Sequence, residues 1–143
     1  MKNATIFNND QLSKIEPPLY IGGWSAANHW GLLDDYTLKT FVFCHKTQAQ
    51  RQLVSDKLEI QPVSPHLFYG LIDVGGAALS NIHKTLIDAI LYPDFFGGTE
   101  NVNRMIESYK AHSEKNYEVL KKYALRAKNA MLAQKIREIT ATK

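Results

Sequence analysis

The residues of this chain that could do chemistry are few and far apart. Ser25 and His29 stand one helical turn from each other, the spacing of a nucleophile and a base on one helix face. Acyl transfer also needs a carboxylate to orient the base and donors for the oxyanion. No spacing signals either, so hydrogen bonding along a helix face is the expected role of the pair. The histidines His29, His45, His66, His83 and His112 show no metal-ligand spacing. Cys44 and His45 are neighbours on an expected strand and point to opposite faces. No metal and no cofactor is expected. The pairs Gly22-Gly23, Gly75-Gly76 and Gly97-Gly98 lack the strand, loop and lysine context that cradles phosphate.

Two sets of charges remain. Lys84 and Asp88 are one helical turn apart and can pair, or reach a partner or a backbone carbonyl; a structural role is the expected one. Asp34, Asp35, Asp73 and Asp88 form no paired-carboxylate motif. Lys121, Lys122, Arg126 and Lys128 are the one local basic cluster, with Tyr117 and Tyr123 nearby. Contacts from that cluster to phosphate would be salt-sensitive and mostly non-specific. A solvated helix face explains the same residues without a ligand.

The elements that must position these residues fit one domain, expected over 17–143 behind a lead-in at 1–16. The chain has 143 residues, 45% of them hydrophobic and 22% charged, ordinary values for a globular protein. A single cysteine excludes an internal disulfide and fits a reducing compartment. The N-terminal stretch lacks the basic start and apolar run of a signal peptide. No apolar run reaches the roughly 18–20 residues that span a bilayer. A cytoplasmic location is therefore expected. The net charge of +3 is unevenly spread: residues 1–98 carry net −2 and residues 99–143 carry net +5.

Taken in order, Pro17-Pro18 is a stiff extended lead into a short helix near 22–30, which Gly31 is placed to close. Residues 38–44 and 57–61 read as strands, with polar 46–56 as a loop between them. Pro62 and Pro65 mark the second strand as an edge. Gly75-Gly76 between apolar runs signals a two-residue hairpin. Residues 81–91 read as a buried helix, because Ile82, Leu86, Ala89 and Ile90 form one apolar face that Ile87 and Leu91 widen. Ser80 and Asn81 are both suitable caps for it. Pro93 ends it. Thr99 is an expected cap for the next helix. Ser113 is an expected cap for a last helix or helix pair, running to about Ile139 with a break near Lys128-Asn129.

Several stretches together resemble a known family. Pro18-Leu19-Tyr20-Ile21-Gly22-Gly23-Trp24-Ser25-Ala26-Ala27-Asn28-His29-Trp30-Gly31-Leu32 is similar to the opening of the core domain of AbiEi-family antitoxins. Leu67-Phe68-Tyr69-Gly70 resembles that family's Phe-Phe-Gly turn, with Tyr69 in place of the second Phe. Lys84-Thr85-Leu86-Ile87-Asp88-Ala89 resembles its Lys-(Ala/Thr)-Leu-hydrophobic-Asp helix. Pro93 and Gly97-Gly98 resemble its exit from that helix. The likeness covers roughly 17–110.

The resemblance implies a non-enzymatic antitoxin of a type IV toxin–antitoxin (abortive infection) system. Such a protein opposes a nucleotidyltransferase-type toxin without the usual tight complex and commonly represses its own operon. Family members usually carry an N-terminal winged helix–turn–helix. The roughly sixteen residues before the Tyr-Ile-Gly opening are too few for one, so the expected chain is the core without its reader, a short family member or an excised fragment.

The resemblance assigns Tyr20, Gly22, Ser25, Gly31, Lys84, Asp88 and Gly98 to the scaffold. Lys121, Lys122, Arg126 and Lys128 are the expected contacts to DNA or a partner. The expected fold is α+β: a short N-terminal helix, a small mainly antiparallel sheet, the buried helix, and two or three C-terminal helices. A nucleic-acid-binding regulator acting through the basic C-terminal helices is the second functional reading.

Overall fold

A computed structural model describes residues 19–45 and 57–141. The lead-in at 1–16, Pro17-Pro18 and the expected loop at 46–56 lie outside the described residues. The fold is α+β. Strand β1 (Leu19–Ile21) leads into helix α1 (Gly23–His29), then β2 (Thr40–His45) and β3 (Leu58–Val63). The hairpin β4 (Leu71–Val74) and β5 (Ala77–Ser80) turns on Gly75-Gly76. Four helices follow: α2 (Ile82–Leu91), α3 (Thr99–Lys110), α4 (Tyr117–Ala127) and α5 (Ala130–Ala141).

The five strands lie in the order β3-β2-β1-β5-β4. The expected mainly antiparallel sheet is in fact mixed. β1 runs antiparallel to β2, and β4 to β5, whereas β1 is parallel to β5 and β2 is parallel to β3. Only the hairpin is a local pairing. In the others the paired strands are separated by longer stretches of chain, α1 among them, which strand-by-strand patterning does not reveal. Pro62 falls inside β3 rather than beside it. As β3 is an edge strand, the N–H that proline lacks need not face a neighbour.

Alternation along the strands sends side chains to two separate cores. Tyr20, Phe41 and Phe43 join the large helical core with Leu86, Phe96 and Tyr109. Ile21, Val42, Cys44 and Leu79 form a smaller cluster on the other face. Burying each such large side chain contributes about 1.5–3 kcal/mol. Helix α2 is the hub: it packs on β5 and on all four other helices.

The helix ends follow local chemistry. Asn81 caps α2, its Oδ1 accepting from the Lys84 N–H at 2.8 Å. Ser80 is not the cap; its hydroxyl lies 2.8 Å from that of Thr85. Gly98 stands at the cap position of α3, and Thr99 is the first helical residue. Asn116, not Ser113, caps α4, accepting from the N–H groups of Glu118 and Val119. The expected break near Lys128-Asn129 separates α4 from α5. Lys128 sits there with φ 56°, the one non-glycine residue with positive φ among those described. A left-handed lysine costs about 1–2 kcal/mol in backbone strain. Lys128→Gly is therefore expected to raise stability by about 0.5–1 kcal/mol, read as a higher urea midpoint with an unchanged slope.

Candidate functional site

Tyr20, Lys84 and Asp88 close into a ring of hydrogen bonds inside the helical core. The backbone of β1 delivers Tyr20, and α2 presents Lys84 and Asp88 one turn apart. Lys84 Nζ donates to Asp88 Oδ1 at 2.7 Å and to the Tyr20 hydroxyl at 2.8 Å. That hydroxyl donates to Asp88 Oδ2 at 2.8 Å. The Lys84 side chain is 0% exposed and that of Asp88 1%. The Lys84 ammonium also lies 4.8 Å from the Tyr20 ring centre and 5.0 Å from that of Tyr69.

Burial dominates the electrostatics of this ring. It pushes the Asp88 carboxyl up and the Lys84 ammonium down, each shift partly offset by the other group's charge. Burial and the Asp88 charge push the Tyr20 hydroxyl far up. Each polar atom is satisfied within the ring, and no open surface reaches it. The arrangement can tie sheet to helix; it offers a substrate no path to the ammonium or the carboxylate.

The other residues that the resemblance assigns to the scaffold lie in or beside α1 and at the start of α3. The Ser25 hydroxyl donates to the Lys39 carbonyl at 3.2 Å and accepts from the Phe41 N–H at 2.9 Å. It fastens α1 to the start of β2, and its oxygen is buried and engaged. Gly22 starts α1, where a Cβ would come within 2.5 Å of the Phe43 ring. Gly31 follows α1 with φ +76° and open space around it. Gly98 begins α3 with φ +109°.

The basic cluster is divided by its surroundings. Lys121 and Lys122 are exposed on α4, with Lys121 3.7 Å from Glu118. Lys128 is exposed at the corner after α4. Arg126 turns to the Tyr69 ring, 4.3 Å from its centre. Tyr69 is the residue that sequence reasoning left out of the site. Its hydroxyl donates to the Tyr123 carbonyl at 2.6 Å, and its ring stands between the buried Lys84 and the surface Arg126 in the chain of contacts. The signal was present in Leu67-Phe68-Tyr69-Gly70, where a tyrosine puts a hydroxyl into an otherwise apolar turn.

A second polar contact was also missed. His83 Nδ1 lies 2.8 Å from the Tyr109 hydroxyl, with the ring edge-on to both Tyr109 and Tyr123. Burial lowers the His83 pKa; Glu114 opposes this and His112 adds to it. The folded state thus prefers the neutral ring. Its contribution to stability is whole above the unfolded pKa of about 6.5 and is lost as pH falls through the lower folded value. His83→Gln is expected to remove that part of the acid loss, so the gap in urea midpoint between variant and parent changes as pH drops from about 7 to about 5.

The surface hollows do not converge on a catalytic set. One of about 270 Å³ lies between α3 and α5, lined by Asn103, Glu107, Lys110, Lys135 and Glu138 among others. A second of about 180 Å³ is lined by Leu33, Asp34, Asp35, Arg104 and Ser108 among others. Neither includes Tyr20, Lys84 or Asp88. Among the described residues no group of three or more His, Cys, Asp and Glu is placed to hold a metal ion. No helix among them is long and apolar enough to cross a membrane. Comparison with protein-family models and with curated proteins gave no match.

Proposed function

We propose that this chain is a non-enzymatic antitoxin core of the AbiEi type, which acts by binding and opposes a nucleotidyltransferase-type toxin. The observation that carries this reading is the buried ring. Tyr20 comes from the Tyr-Ile-Gly opening, and Lys84 and Asp88 come from the Lys-Thr-Leu-Ile-Asp helix, 64 and 68 residues away. Two stretches that resemble the family separately thus meet as one structural unit. Sealing the ionisable groups of that unit from water also favours action through a surface rather than through chemistry.

The test is a growth assay. The gene adjoining this coding segment, if of nucleotidyltransferase type, is induced with and without this chain. Recovery of growth without co-purification of the two proteins is the expected result. Equal arrest in both cultures, or no such gene beside this one, overturns the proposal.

A second reading rests on the exposed Lys121, Lys122 and Lys128 at α4 and its corner. A nucleic-acid contact there would show as affinity for duplex DNA that falls steeply with salt. It would weaken further in Lys121→Glu/Lys122→Glu.

A further inference from the structure

We propose that the chain associates with a second copy of itself, the acidic loop 34–38 of one copy docking on the basic face of α4 of the other. Among the described residues, five large hydrophobic side chains are exposed: Leu38 at 100%, Leu125 at 73%, Met131 at 65%, Tyr36 at 50% and Ile72 at 38%. Four of these five fall in two places, and the two places carry opposite charge.

The first place is the loop after α1. Asp34 and Asp35 precede Tyr36 and Leu38 there, and the next cation, Lys39, is already paired with Glu59 at 2.7 Å. The loop backbone is pinned. Trp24 Nε1 and Asn28 Nδ2 both donate to the Asp35 carbonyl, at 2.7 and 3.0 Å. Asn28 Oδ1 accepts from the Thr37 N–H at 3.1 Å, and Asn28 is itself buried. Two apolar side chains are therefore held out in water by a fixed backbone. A loop fixed in advance loses little freedom on docking.

The second place is the outer face of α4 and its corner. Leu125 is three and four residues from Lys122 and Lys121, which puts all three on one helical face; Glu118 on that face lies 3.7 Å from Lys121, so Lys122 and Lys128 carry the face's net positive charge. Lys128 stands at the corner, and the exposed Met131 follows it in the first turn of α5. Phosphates would engage these lysines but leave Leu125 and Met131 in water. A partner that is both acidic and apolar matches the whole patch, and the chain's own loop has that chemistry. Among the described residues nothing covers either patch, since Leu38 and Leu125 are exposed. A two-fold axis would form both contacts at once.

This inference is independent of the antitoxin reading and is tested without a toxin. Sedimentation of the full chain at low salt over about a hundredfold range of concentration should show mass rising above the 16.2 kDa of one copy. Leu38→Ser and Leu125→Ser should each weaken association about tenfold or more. Asp34→Lys/Asp35→Lys and Lys121→Glu/Lys122→Glu should each abolish it, because like charges then face each other. A mixture of the two charge-reversed proteins should associate again, since both contacts regain opposite signs. All substitutions are at exposed positions, so folding is unaffected. A chain that stays monomeric, association that survives both reversals, or a mixture that fails to recover overturns the proposal. So does a face that binds duplex DNA through Lys121 and Lys122 with no effect of Leu125→Ser.

Discussion

Asp88→Ala is expected to cost about 3–5 kcal/mol of folding stability. The substitution leaves the Lys84 ammonium at 0% exposure with no carboxylate, and the Arg126 charge nearby disfavours it further. The Tyr20 hydroxyl loses its acceptor as well. Domains of this kind are stable by only about 5–15 kcal/mol in total, so the variant should lose a large share of its margin. Lys84→Ala should be comparable, because Asp88 is then the stranded charge.

The triple variant Tyr20→Phe/Lys84→Met/Asp88→Leu should behave differently. It removes every charge and hydroxyl of the ring and fills the space with apolar volume. Such replacements of buried ion pairs range from neutral to stabilising by about 1–4 kcal/mol. Urea denaturation followed by circular dichroism distinguishes the cases. A loss below about 1 kcal/mol in Asp88→Ala would mean that water reaches Lys84, contrary to the sealed geometry.

Gly23→Ala is expected to cost about 3 kcal/mol or more, from two sources. The residue has φ +55°, where a side chain costs about 1–2 kcal/mol. A Cβ there would also lie 2.7 Å from the Phe95 ring and 2.8 Å from Phe41 Cβ. Relieving such an overlap in a packed core adds typically 1–3 kcal/mol. Gly31→Ala separates the two contributions. Its φ is +76°, but nothing lies within 4 Å of the added Cβ, so only the backbone cost of about 1–2 kcal/mol should remain. Equal losses at the two sites would show that strain alone matters and that α1, β2 and Phe95 are less tightly packed than the distances indicate.

What was legible in the sequence was local. The cap at Asn81, the hairpin turn at Gly75-Gly76 and the break at Lys128-Asn129 each rest on residues within a few positions of the feature, and each is where the spacing puts it. Lys84 and Asp88 pair across one helical turn for the same reason. Cap choice among neighbouring polar residues was not legible. Ser80 and Asn81 have equal capping chemistry, and the side-chain contact with Thr85 decides between them. Long-range relations were not legible either. The parallel pairings of β1 with β5 and of β2 with β3 come from chain crossings rather than strand composition. Tyr20 has no spacing relation to Asp88. Tyr69 joins the site only because the turn at Gly70, with φ +68°, brings it under α4. Leu38 and Leu125 look like core residues in sequence, and only the fold places them outside.

The growth assay with the triple variant bears most directly on whether this chain acts through its surface. Tyr20→Phe/Lys84→Met/Asp88→Leu is first shown to be folded by its cooperative urea transition. It is then expressed, in place of the parent chain, beside the product of the adjoining gene, where that gene is of nucleotidyltransferase type. Growth restored as well as by the parent is the expected result, because the ring serves the fold alone. A folded variant that fails to restore growth, where the parent succeeds, would contradict it and give the buried lysine and aspartate a role in the activity itself.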